Sequence, residues 1–243
     1  MNLKLTSHSR KPLLRDTTPI RLVVVTMDTH LAGAIERAQR TLKNEIPGLT
    51  LTLHAASEYA GNDAAIERCI EDINRADIIV AGMLFMEDHF LPILPALQAR
   101  RDQCDAMICM ASAAEVVKLT RLGNFDMAKP ASGPMAMLKK LRGSKEKAAT
   151  GGAAQMKMLR RIPQLLRFVP GTAQDVRAYF LTLQYWLAGS DDNAFQMIQA
   201  LVDRYADGPR KGLRGKAKVE APQEYPEVGV YHPDLPQRMS EKL

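Results

Sequence analysis

Apolar runs and amphipathic segments alternate along the first half of the chain. Leu22 to Val25 are continuously apolar, so Arg21–Met27 reads as a buried strand. Leu31, Ile35, Ala38 and Leu42 then recur at helical spacing until Ile46-Pro47-Gly48 ends the helix. Leu49–His54 alternates Leu with Thr, the pattern of a strand with one better-buried face. A second helix carries Ile66, Cys69, Ile70 and Ile73, with Asn62 or Asp63 as its cap. Asp77–Met83 is too continuously apolar to be half-exposed and reads as a third strand. Glu87 to Arg101 forms a third helix through Leu91, Leu94 and Leu97, with Pro92 in its first turn and Pro95 expected to kink it. Asp105–Met110 is the fourth strand, and Ser112 is expected to cap the helix of Val116, Val117 and Leu119. Parallel strands need crossovers of this size. The pattern therefore predicts an α/β fold, an open, doubly wound, mainly parallel sheet of the flavodoxin-like kind.

Beyond Leu122 the pattern changes. "NFDMAKPASGP" is rich in turn formers and reads as a loop, and "GSKEKAATGGAAQ" has the composition of a flexible linker. The next stretch is wholly helical and predicts an all-helical extension. One helix holds Met158, Leu159, Ile162, Leu165 and Leu166. A second holds Val176, Phe180, Leu183 and Leu187, and a third Phe195, Ile198, Leu201 and Tyr205. The expected organisation is a loose leader over 1–19, an α/β head over 20–142, a linker over 143–155, a helical segment over 156–206 and a second linker over 207–223. Residues 224–243 open a fresh apolar stretch, "EVGVYHPD", with no obvious strand to pair against. The chain therefore reads as part of something longer.

Composition refines this picture in two ways. The net charge of +6 is local: Met137 to Phe168 holds nine Lys and Arg against Glu146 alone, so that stretch is +8 and the remainder sums to −2. Residues 137–167 contain no aromatic side chain, which argues against nucleic acid as a partner. No stretch reaches the roughly 18 uncharged apolar residues of a membrane span, and charged residues interrupt the amino-terminus where a signal peptide would be apolar. A cytoplasmic protein is expected. Cys69, Cys104 and Cys109 are an odd number without CxxC spacing and read as buried thiols.

The candidate chemistry is sparse. Neither GxGxxG nor GxxxxGK[ST] occurs, so no phosphate-binding loop is expected. Asp28, Thr29 and His30 follow the first strand, where an open α/β sheet places its ligands. Glu87, Asp88 and His89 follow the third. In a flavodoxin-like order the two strands are neighbours, and these turns could converge on a divalent cation. The plainer reading is that Asp28 or Thr29 caps one helix while Glu87 and Asp88 complement the dipole of the next. Asp28, His30, Glu87 and His89 are thus weak binding candidates, and no catalytic or resident-metal residue is assigned. His54 reads as a surface residue. Tyr179, Tyr185 and Trp186 share one helix and suit core packing better than stacking on a flat ligand.

The wording of the sequence goes further. "VVVTMDTHLAGAIERA", "ILPALQARRDQCDAMICMASAAEVVKLTRLGNFDM", "ASGPMAMLKKLRG", "MLRRIPQLLRFVPGTAQDVRAYFLTLQYWLAGSDDN" and "YPEVGVYHPDLP" resemble the amino-terminal part of the magnesium chelatase large (H) subunits. The resemblance runs from about Ile20 to the last residues. The phrase ending "QYWLAGSDDN" is its most specific part, shared more loosely with the cobalt chelatase large subunit. "VVTMDTHLAG" and "TRLGNFDM" look like the bacteriochlorophyll branch. The resemblance implies the porphyrin-binding component of a three-subunit enzyme that inserts Mg²⁺ into protoporphyrin IX. ATP would be hydrolysed on the two smaller partner subunits, in keeping with the missing phosphate loop. The porphyrin and metal machinery is expected mainly outside these residues. The alternatives are a cobalt-chelatase homologue, or a free-standing tetrapyrrole- or metal-binding module without catalysis.

Overall fold

The structure, a computed structural model, describes residues 17–130, 161–223, 230–232 and 239–240. Four parallel strands form the centre: β1 (Ile20–Thr26), β2 (Leu49–Ala55), β3 (Ile78–Gly82) and β4 (Ala106–Met110). Their order is β2-β1-β3-β4, so the chain reverses its direction of travel between β1 and β3. In that pair Leu22 lies opposite Ile78 and Thr26 opposite Gly82. The helices are α1 (Ala32–Glu45), α2 (Asp63–Arg75), α3 (Glu87–Phe90), α4 (Leu94–Arg100) and α5 (Ala114–Val117). The α/β fold, mainly parallel and doubly wound, is the one the alternating pattern predicts. The sheet then gains two strands that the pattern missed. β5 (Arg121–Leu122) and β6 (Phe125–Asp126) form an antiparallel hairpin beside β4, the first strand just before and the second inside what read as a loop.

Local chemistry explains most boundaries and corrects three of them. The Asn62 side chain accepts from Ala65 N at 3.1 Å and caps α2, as expected. The predicted helix over 87–101 is two helices, because Pro95 lies in the first turn of α4, where its missing N–H costs nothing. Ser112 does not cap α5. Its hydroxyl accepts from Leu84 N at 3.0 Å and donates to Met110 O at 2.9 Å, tying the loops after β3 and β4 together. Neither Asp28 nor Thr29 supplies a side-chain cap to α1, whose N-cap is Leu31.

Strand alternation sends Leu22, Val24, Ile78, Val80 and Ile108 to one face of the sheet and Val23, Val25, Ile79, Ala81 and Met107 to the other. The second face is covered by Cys69 and Ile73 of α2, Leu97 of α4 and Val116 of α5. From the crossovers, α1 alone covers the first face, which leaves half of it bare. Two further helices complete the layer: α6 (Thr172–Ala188) and α7 (Asp191–Tyr205). α7 lies along α1, and its Phe195, Ile198, Leu201 and Val202 join the core of that face. The helical segment is therefore the second half of a layer. On α7 the expected stripe is the buried one. On α6 the face is rotated from expectation: Ala173, Val176, Tyr179, Tyr185 and Trp186 are buried, whereas Leu187 is exposed.

Two polar clamps fix this layer. Asp175 of α6, itself buried, accepts from Asn124 N at 3.0 Å, Tyr205 Oη at 3.0 Å and Arg204 Nη2 at 3.1 Å. It thus joins the β5–β6 turn to α6 and α7. Gly123, in the left-handed region at φ 53°, lets that turn approach, since a Cβ there would lie 2.8 Å from Asp175 Oδ2. At the amino ends of β3 and β4, Arg210 pairs with Asp77 at 3.3 Å and Asp105 at 2.9 Å. Arg210 lies in a 3₁₀ helix, Gly208–Leu213, within the stretch that read as linker. Val230–Tyr231, in the stretch with no obvious partner, pairs antiparallel with Met239–Ser240. The expected leader, the linker over 143–155 and Met158 and Leu159 lie wholly or largely outside the described residues.

Candidate functional site

Where strand order reverses, the loops leaving two adjacent strands part and open a crevice at the carboxyl end of the sheet. Here that place lies between β1 and β3. Three turns surround it: Thr26 to Leu31, Gly82 to Glu87, and Met110 to Ala114.

Asp28 and His30 form a local pair on the first turn. Asp28 Oδ1 accepts from His30 N at 2.9 Å and also bonds His30 Nδ1, and both side chains are partly exposed. The backbone N–H of His30, then its ring, hold the Asp28 carboxyl below its ordinary pKa. Glu87 and Asp88 are exposed in the first turn of α3. His89 Nδ1 is buried without a hydrogen-bond partner. The two turns do leave neighbouring strands, as the strand order anticipated. Among the described residues, however, no group of three or more His, Cys, Asp or Glu side chains stands where it could hold a metal ion.

An indole occupies the crevice instead. A Cβ built on Gly82, the last residue of β3, would lie 2.8 Å from Cζ2 and 3.1 Å from Cε2 of Trp186. The ring of His30 meets the same indole edge-on, with centroids 6.3 Å apart. Trp186 is buried, and on the sheet face it covers Thr26 lies beside Gly82 in register. The Thr26 hydroxyl is buried and lacks a hydrogen-bond partner. A helix from the far end of the chain thus fills the place where this fold usually admits a ligand.

The backbone around the crevice is strained on its other side. Met83 and Ala111, the residues after β3 and β4, both have positive φ, 63° and 45°. Each such non-glycine residue costs about 1–3 kcal/mol. The Ser112 hydroxyl and the Ala113 N to Leu84 O bond at 2.8 Å hold the two loops in this shape. The result projects Phe85 and Met86 outward, each 54% exposed.

Two features escaped the sequence. His54 is a partly buried surface residue with a partner: its Nε2 lies 2.8 Å from Asp72 Oδ2, and the pair lines a pocket of about 390 Å³ with Tyr59 and Arg68. The histidine comes from an edge strand and the aspartate from a helix eighteen residues later, so only the packing of α2 on the sheet joins them. Trp186 was legible as a core residue, but the crevice as its seat was not. The three cysteines are buried and free, as their spacing suggested. Burial pushes the Cys69 thiol up to about 11 and raises Cys109 further.

Two family descriptions match the chain. The model described as "Domain of unknown function (DUF3479)" covers residues 21–180, and that described as "CobN/Magnesium Chelatase" covers residues 183–243. The chain is 52% identical over 219 residues to the magnesium-chelatase H subunit of Cereibacter sphaeroides and 47% identical over 219 residues to the protein of the same name from Rhodobacter capsulatus. Each match takes in 90% of this chain and 18% of the relative, so the chain spans under a fifth of their length. The chloroplastic magnesium-chelatase protein ChlH of Oryza sativa subsp. indica is 27% identical over 231 residues, which are 91% of this chain and 16% of that protein.

Proposed function

We propose that this chain, which belongs to the DUF3479 family and runs on into a CobN/Magnesium Chelatase region, is the amino-terminal head of a magnesium-chelatase large subunit. In this reading the whole enzyme works in the cytoplasm and inserts Mg²⁺, as substrate, into protoporphyrin IX on the route to bacteriochlorophyll. The large subunit binds the porphyrin, and two smaller ATPase-type subunits hydrolyse ATP. The identity of 52% to a magnesium-chelatase large subunit over 90% of this chain supports the assignment.

The head's own part is to scaffold and dock the rest. Trp186 in the crevice carries that reading, because a filled crevice leaves no room for a porphyrin or nucleotide between β1 and β3. The Asp28–His30 pair then shapes a turn and packs on the indole, without taking part in proton transfer or metal binding.

The 243-residue chain, given both ATPase-type subunits, ATP, Mg²⁺ and protoporphyrin IX, is expected to yield no Mg-protoporphyrin fluorescence above a no-protein blank. In the full-length large subunit, Asp28→Asn and His30→Ala are expected to leave turnover near normal. A loss on the order of a hundredfold with an unchanged melting temperature is the signature of lost acid–base help and would overturn the scaffold role. Offering Co²⁺ in place of Mg²⁺ tests the cobalt-chelatase alternative.

A further inference from the structure

The segment before α6 presents an apolar surface that neighbouring side chains hold outward. Residues 161–165 are helical, with Ile162 and Leu166 buried as anchors. The next positions round the turn face water: Leu165 is 65% exposed, Phe168 86%, and Val169 is also exposed. Their exposure does not come from a loose end. The Gln174 side-chain amide donates to the carbonyls of Leu166 at 2.8 Å, Arg167 at 3.3 Å and Val169 at 2.5 Å. Arg177 Nε donates to Pro163 O at 3.1 Å. Two side chains of α6 therefore fix this tip.

Along the tip's own stretch of sequence the exposed charge has one sign. Arg161 and Arg167 are exposed, and Arg167 lies over the Phe168 ring, 5.5 Å from its centroid. Arg177 feels the positive fields of Arg167 and Arg204. Between Arg161 and Ser190 the only acid is Asp175, which is buried and bound by Arg204 and Tyr205. The sequence leading to it, Met137 to Phe168, carries the local +8. With 86% of its surface in water, Phe168 stands out from the fold as the apex of a protruding tip.

We propose that this tip docks on an anionic lipid surface, with Phe168 and Leu165 entering the headgroup–acyl boundary and Arg161 and Arg167 on lipid phosphates. A convex apolar tip ringed by arginine suits a fluid bilayer, which receives a protrusion without a matching cavity. An acidic protein partner would have to supply that cavity, and a free phosphate would have no use for Phe168. This inference is independent of the chelatase reading. It needs no membrane span, and no helix among the described residues is long and apolar enough to be one.

The test is co-sedimentation of the 243-residue chain with vesicles at low salt. Two compositions are used: phosphatidylcholine alone, and phosphatidylcholine with one third phosphatidylglycerol. The chain is expected to pellet with the anionic vesicles only. Phe168→Ser should weaken binding on the order of tenfold, and each of Arg161→Gln and Arg167→Gln about fivefold. Because all three side chains face water, far-UV circular dichroism and melting temperature should not change. Retention of the wild type in the supernatant with anionic vesicles overturns the proposal, as does equal pelleting of Phe168→Ser. Capture of the chain on immobilised polyglutamate without vesicle binding also overturns it and indicates an acidic protein.

Discussion

Placing a methyl group on Gly82 tests whether the crevice is truly filled by Trp186. Gly82 has no positive φ, so alanine brings no backbone strain of its own. The new Cβ would lie 2.8, 3.1 and 3.2 Å from three indole carbons, against an optimal carbon separation of about 3.5–4.0 Å. The indole cannot retreat freely, since it is buried and held edge-on against His30. Overpacking of this kind costs about 1–3 kcal/mol. Trp186→Ala alone removes a buried aromatic and should cost about 3–5 kcal/mol. In that background the Gly82 methyl enters empty space. Alanine is also worth about 0.5–1 kcal/mol over glycine within a strand, so the double variant should be more stable than Trp186→Ala. The sign of the Gly82→Ala effect therefore reverses, a coupling of about 1.5–4 kcal/mol when the two ranges are combined. Chemical denaturation followed by far-UV circular dichroism measures all four species, because Trp186 is the only tryptophan and fluorescence is lost with it. Equal destabilisation by Gly82→Ala in both backgrounds, within about 0.5 kcal/mol, would refute the contact and with it the filled crevice.

Arg210→Ala should cost about 3–5 kcal/mol, because the buried Asp77 and Asp105 carboxylates lose their shared counter-charge. Hydrogen exchange over 208–213 should rise before the strands open. The carboxyl of Asp28 should titrate below the ordinary aspartate range by NMR. Its contribution to stability is thus present above the unfolded pKa and lost as pH falls through the lowered folded value. His30→Ala should raise that pKa only part of the way, since the backbone N–H, the larger cause, remains. The native chain should resist an aromatic disulfide reagent, and all three thiols should react on unfolding, because burial keeps Cys69 and Cys109 protonated.

What could be read from the chain depends on where its apolar residues are unambiguous. Strands β1, β3 and β4 are continuous apolar runs between clear turn signals, and their crossover lengths leave little choice but a parallel sheet. The β5–β6 hairpin has two residues per strand, too few for any period to register. On α6, apolar residues lie on nearly every side, from Val176 and Tyr179 through Phe180, Leu181 and Leu183 to Leu187. The stripe could be drawn in several places, and contact with the sheet selects one. Ser112 had the right type and position for a cap, but the strained loop after β3 offered its hydroxyl another donor, Leu84 N. Asp28 and His30 were legible as residues of the rim because a strand and a helix flank them. Which partner they would meet depended on Trp186, more than 150 residues away.

That long-range contact also bears on why the helical residues accompany the α/β unit. A sheet ordered β2-β1-β3-β4 receives one crossover helix on the face of Leu22 and Val24, where Ile78, Val80 and Ile108 also lie. α1 cannot cover all of them, and exposed they would form an apolar patch of the kind that drives association. α7 lies along α1 and α6 brings Trp186 over the end of β3, so the layer that supplies burial also closes the crevice. Arg37 of α1 bonds Asp191 at the start of α7, and Gln199 in the middle of α7 bonds Glu45 at the end of α1, so the two helices are pinned at two points along their contact. Removing α6 and α7 would therefore both expose core and open the crevice. Loss of folding on such a truncation is expected for that reason, whatever the chemistry of the longer subunit.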